Sequence, residues 1–158
     1  MKQSYTSGAD YTGNGAKIAI VSARFNGEIV EAMAIAAHQT LQEHGVKEVN
    51  IKHMQVPGAF ELPLVCKSLA SSKQYDAVIA LGCVIRGETP HFDYVCSSAA
   101  TGIQQASLET NIPIAFGVLT TDTTEQALQR SSTTIIEENK GRDTALCVLE
   151  MINVLKSL

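Results

Sequence analysis

Cysteine is scarce and scattered in this chain. Cys66, Cys83, Cys96 and Cys147 form no C-x-x-C pair and have no histidine at metal-ligand spacing, so a zinc site has no framework and the thiols read as small hydrophobes in a reducing compartment. Basic residues are also few: 12 Lys and Arg stand against 16 Asp and Glu, for a formal net charge of −4. With a pI near 5.5 and no basic stripe, nucleic acid is not the expected partner. A small anionic ligand stays compatible, because one pocket can be positive on a negative protein. No apolar run reaches the length of a membrane span, and no low-complexity tract, solenoid repeat or internal linker interrupts the chain. The opening "MKQSYTSGADYTGNGA" is polar and Gly-rich, without the apolar core of a signal peptide. The expectation is a soluble cytoplasmic protein with no membrane partner.

What is present suits a folded core. Of 158 residues 45% are hydrophobic and 18% charged, which favours one domain over 1–158 with a polar segment over 1–16. "KIAIVS" is a compact apolar run, and Ile29, Val30, Met33, Ala37 and Leu41 follow at helical spacing until Gly45. "KEVNIKHMQV" then reads as a strand ending at Pro57-Gly58, and "FELPLVCKSLASS" as a short helix with Pro63 near its start. "DAVIALGCVI" is a third strand, apolar throughout as both-face burial requires, before a helix carrying Phe92, Val95, Cys96, Ala99, Ile103 and Ala106 on one side. "IPIAFGVLT" supplies a fourth strand. A helix from Thr121 to Arg130 follows, "SSTTIIEENKG" interrupts it, and a last helix carries Ala145, Val148, Leu149, Ile152 and Leu155. Strand and helix alternating four times predict a flavodoxin-like α/β three-layer sandwich: a four-stranded parallel sheet with helices on both faces.

Such sheets bind ligands beyond the carboxyl ends of their strands, which singles out "SARFNG", "VPGAFELP", "GCVIRGETPH" and "FGVLTT". Phe25 either stacks on a planar ligand or closes the end of the core. Glu61 after Pro57-Gly58 either accepts hydrogen bonds from a ligand or caps a helix. Gly87, Glu88 and Thr89 lead into Pro90 and His91, and free backbone N–H groups at a helix start suit phosphate, with the Glu88 backbone rather than its carboxylate contributing. No Walker pattern is present, and "TGNGAK" precedes its strand and so fails as a dinucleotide fingerprint. His91 in a first turn reads as a proton shuttle or as a plain surface residue, whereas His38, His44 and His53 lack a comparable setting. Arg130 reads as a phosphate clamp or as dipole compensation at a helix end. Arg86 either neutralises charge near the third loop or pairs with Glu88 or Asp93.

Taken together, "ARFN", "VPGAFELP", "YDAVIALGCVIRGETPHFDYV", "FGVLTT", "EQALQR" and "NKG" closely resemble the 6,7-dimethyl-8-ribityllumazine synthase family of riboflavin biosynthesis, from about Lys17 to Lys156. The resemblance implies condensation of 5-amino-6-(D-ribitylamino)uracil with 3,4-dihydroxy-2-butanone 4-phosphate, with no cofactor and no metal. It implies substrate contacts from Phe25, Ala59, Phe60, Glu61, Cys83, Val84, Ile85, Glu88, Thr89 and Arg130, proton transfer by His91, and a contact from Phe116 across a subunit boundary. Cys83 stands where the family often has threonine, which favours a backbone contact there. "SSTTIIEE" is longer than the "AGTKAG" of members that build shells, which favours a homopentamer with a sixty-subunit icosahedral shell as the alternative. A flavin-binding module without turnover, a Cys83–His91 thiol hydrolase and a chiefly structural ring- or capsid-forming chain with a vestigial pocket are the rival readings.

Overall fold

The computed structural model describes residues 8–158, so residues 1–7 of the polar leading segment lie outside the described residues. Four strands alternate with five helices: β1 (Ile18–Ala23), α1 (Gly27–Glu43), β2 (Ile51–Val56), α2 (Leu62–Ser71), β3 (Ala77–Ile85), α3 (His91–Thr110), β4 (Ile114–Thr121), α4 (Thr124–Arg130) and α5 (Lys140–Lys156). The sheet order is β2-β1-β3-β4, and every neighbouring pair is parallel. This is the flavodoxin-like α/β sandwich that the alternation predicts.

The two-residue period of the strands divides the core into two halves. Ile18 and Ile20 of β1, with Ala77, Ile79, Leu81 and Cys83 of β3, face α1 and α5 through Met33, Leu41 and Leu149. Ala19 and Val21, with Val78, Ala80 and Val118, face α2 and α3 through Leu62, Cys66 and Ile103. Each fully buried Leu or Ile of this kind contributes about 1.5–3 kcal/mol relative to exposure, so the two half-cores hold the helices on opposite faces. β3 is central and buried from Ala77 to Cys83, whereas β2 at the edge is mostly exposed or half-buried. No helix of the described residues is long and apolar enough to cross a membrane.

Some boundaries differ from the sequence expectation and one is as expected. Glu48–Asn50 form a 3-10 turn, so β2 begins only at Ile51. Thr121 belongs to β4, and α4 starts at Thr124, because the Thr123 side chain accepts from the Gln126 N–H and caps the helix there. After Arg130 the "SSTTIIEE" segment does break the helix: Ser132 Oγ accepts from the Thr134 and Ile135 N–H groups, and a 3-10 turn spans Ile136–Glu138. Asn139 then caps α5 by accepting from the Gly141 N–H at 2.8 Å.

All four cysteines are free. Cys66 and Cys83 are buried as expected, but Cys96 and Cys147 are only half-buried. Of the histidines other than His91, His53 is exposed while His38 and His44 are half-buried, and each has a polar partner. His38 meets Glu48 at 2.9 Å, His44 Nδ1 lies 2.8 Å from the Thr40 carbonyl, and His53 Nε2 lies 2.7 Å from the Ser22 hydroxyl.

Candidate functional site

At the carboxyl edge of the sheet the loops after β1 and β2 are zipped together. The Arg24 N–H donates to the Val56 carbonyl at 2.8 Å and the Phe25 N–H to the Pro57 carbonyl at 3.1 Å, continuing the parallel pairing past the strand ends. Phe25 is left projecting, 72% exposed, with no core to close. The next residue, Asn26, takes a left-handed backbone and donates its side-chain amide to the Cys83 carbonyl at 2.8 Å, which ties this loop to the end of β3. Ala59–Glu61 form a 3-10 turn ahead of α2, so Glu61 lies just before that helix and not inside its first turn. Among the described residues nothing pairs with the Glu61 carboxylate, which leaves it open to a ligand.

Residues 87–90 join β3 to α3. Among the described residues no backbone carbonyl accepts the N–H of Gly87, Glu88 or Thr89, and the Thr89 hydroxyl accepts from the His91 N–H at 3.4 Å. These donors lie on the short exposed loop that opens the twenty-residue α3. Arg86 does not pair with Glu88: its guanidinium bonds Asp93 and Asp122 and lies over the Phe92 ring.

These three loops enclose one cleft of about 740 Å³. Phe25, Ala59, Phe60, Glu61, Cys83, Val84, Ile85, Thr89 and His91 all line it. Glu88 is exposed beside it without lining it. Phe92, Tyr94 and Val95 also line the cleft and were not anticipated as site residues. Two of them, Phe92 and Val95, were legible only as the apolar face of α3, which runs from the core out into the cleft. Cys83 reaches the cleft at the strand end while its side chain packs with Leu81 and Leu119 in the half-core under α1 and α5. Burial there pushes its thiol up to about 11, which is the opposite of what an activated nucleophile needs.

Phe116 and Arg130 are not part of that group. They line a second cleft of about 490 Å³ between β4, the end of α4 and the start of α5, together with Lys140, Asp143 and Cys147. The two clefts share no lining residue. Arg130 donates to the Gln126 carbonyl of its own helix at 3.0 Å and Lys140 donates to Asp143 at 2.8 Å, so two cations and one carboxylate line this pocket. Lys140 was missed as a candidate although it stands inside the "NKG" match.

An apolar cleft with convergent polar groups, lying at the carboxyl edge of a parallel sheet, defines a small-molecule-binding α/β protein. The model of the family described as 6,7-dimethyl-8-ribityllumazine synthase matches residues 15–156. The chain belongs to that family, whose members are transferases that form the lumazine of riboflavin biosynthesis and act on small molecules as oligomers.

Proposed function

We propose that the protein joins 5-amino-6-(D-ribitylamino)uracil to 3,4-dihydroxy-2-butanone 4-phosphate, giving 6,7-dimethyl-8-ribityllumazine with release of phosphate and water, and that residues 1–158 form one lumazine synthase domain. The observation that carries the reading is the convergence of Phe25, Glu61, Thr89 and His91 on one cleft in a chain whose family match spans residues 15–156.

In this reading the exposed Phe25 ring stacks on the pyrimidine, and Ala59, Phe60, Cys83, Val84 and Ile85 line the ring and ribityl pocket. The unpaired Glu61 carboxylate accepts from the donors of that substrate. The free N–H groups of Glu88 and Thr89 hold the phosphate, with their backbones and not the Glu88 carboxylate making the contact. The substrate amine is the nucleophile. Imine formation, phosphate elimination and ring closure each relocate protons, and His91 at the helix start is the group that moves them. Orientation of two reactants can remove as much as about 7–11 kcal/mol of barrier, against about 10²–10⁴-fold from one acid-base group, so positioning is the larger share.

Phe116 and Arg130 then act on the cleft of an adjacent copy. Support comes from their placement in a separate pocket of the same chain, with cationic character suited to the phosphate end of the substrate. A homopentamer fits this arrangement, the lengthened segment between α4 and α5 being the feature that distinguishes the chain from members that build shells. A cytoplasmic location suits such a biosynthetic step. Mixing the purified protein with both substrates and following the fluorescent lumazine tests the reaction, and sedimentation tests the assembly. Folded protein that binds both substrates and yields no product would overturn the enzymatic reading.

A further inference from the structure

Arg86 has no part in the reaction as proposed, yet its side chain is held from three directions. Its backbone N–H donates to the Thr121 carbonyl at 2.9 Å, extending the β3–β4 pairing by one residue. Beyond that point Nε donates to Asp122 Oδ1 at 3.0 Å, just after β4. The other two guanidinium nitrogens donate to the two carboxylate oxygens of Asp93 at 3.2 and 3.4 Å, in the first turn of α3. The flat cation also lies 4.2 Å from the centroid of the Phe92 ring, which lines the cleft.

The two ends of this bridge, Arg86 and Asp93, bracket the loop 87–90 and His91. The loop therefore cannot change its span unless the bridge opens. Exposed ion pairs contribute little to folding, so the stability of the fold does not explain a fork-to-fork pair backed by an aromatic face and a second carboxylate. What such a planar arrangement does well is fix an angle. We propose that Arg86 is a positioning residue: it clamps the first turn of α3 to the ends of β3 and β4 and so holds the Gly87–Thr89 N–H groups at the separation that grips the substrate phosphate.

The inference rests on the reaction proposed above and makes a separate demand. Arg86→Met should raise the KM for the butanone phosphate by about tenfold while leaving the KM for the aminouracil within about twofold, and the inhibition constant of inorganic phosphate should rise in parallel. Arg86→Lys should recover only part of this loss, because one ammonium cannot bond both Asp93 oxygens and Asp122 together. Asp93→Asn separates clamping from charge. If Arg86 merely offset nearby carboxylates, removing one would improve phosphate binding; if it clamps, the same change weakens phosphate binding.

An unchanged phosphate KM in Arg86→Met, an equal rise in both KM values, or tighter phosphate binding in Asp93→Asn would each overturn the clamp. Should Arg86→Met fail to fold, Asp93→Asn and Asp122→Asn carry the same test. A wild-type protein without lumazine synthesis would sink the proposed reaction, and calorimetry with inorganic phosphate on wild type and Asp93→Asn would still decide on the clamp.

Discussion

Asn26 donates its side-chain N–H to the Cys83 carbonyl at 2.8 Å while its own backbone sits in the left-handed region, at φ 55 and ψ 45. An N-cap residue usually spends its side chain on the first turn of its own helix. Here the amide reaches across to β3, and the loop carrying Phe25 is anchored where the cleft begins. Asn26→Gly keeps the left-handed conformation and loses only the bond, so the urea midpoint should fall by the equivalent of about 1 kcal/mol. Asn26→Ala should lose about 1–2 kcal/mol more, because a Cβ without a compensating polar group strains that conformation. Equal midpoints for the two variants would mean that the backbone geometry contributes nothing. Under the proposed stacking of Phe25 on the aminouracil, both should also weaken binding of that substrate.

The proposed role of His91 sets a bounded loss. His91→Ala should lower kcat by no more than about 10²–10⁴-fold, with lumazine still forming above the uncatalysed rate, since orientation of the two substrates survives the change. Stopped-flow absorbance of the product measures this directly. Abolished turnover in a variant that folds and binds both substrates would invert the ranking of positioning over proton transfer.

The fold was legible because its signals are local and periodic. β3 reads as one apolar run since both its faces are covered, and α1 and α3 show their buried stripes at helical spacing. The errors fell where one hydrogen bond decides a boundary. The Thr123 cap starts α4 three residues late, and the Glu48–Asn50 turn consumes the head of an apparent strand. The first cleft was legible because its residues sit in three loops that a parallel sheet must bring to one edge. Arg86 stayed ambiguous for the opposite reason. Its second partner, Asp122, lies 36 positions away on another loop, and no spacing rule joins them. Tyr94 was invisible as well, since an exposed aromatic beside a buried stripe reads as surface until the cleft is seen.

Gly141 tests the packing that sets α5 against α1. A Cβ built there would lie 2.6 Å from the Met33 carbonyl carbon and 2.7 Å from its Cα, nearer than real Cβ atoms come. An unpacked helix would gain about 1 kcal/mol from Gly→Ala, so the sign of the effect is the measurement. Gly141→Ala should destabilise by about 1–3 kcal/mol, read from thermal or urea unfolding. Trimming Met33 to Ala in the same chain should not restore stability, because the obstruction is backbone. Rescue by that second change would show that the side chain, and not the close approach of the two helices, causes the loss.

The alkaline limb of stability should depend on Cys66. Burial between α2 and the sheet disfavours its thiolate and pushes the thiol from an ordinary value of 9.0 up to about 12. Below pH 9 the thiol is protonated in both folded and unfolded chains, and its contribution to stability is fully present. Between about 9 and 12 the unfolded chain has released the proton while the folded chain retains it, so the folded state binds more protons and stability falls as pH rises. Replacing Cys66 with Ala removes the group that titrates and opens only a small gap. Urea melts at intervals from pH 8 to pH 11 should therefore give a steeper decline for the wild type than for Cys66→Ala, with Cys96→Ala as a control at a half-buried thiol. Parallel declines in wild type and Cys66→Ala would assign the alkaline loss to other groups, the buried Cys83 thiol first among them, and would contradict the burial of the Cys66 thiol as its source.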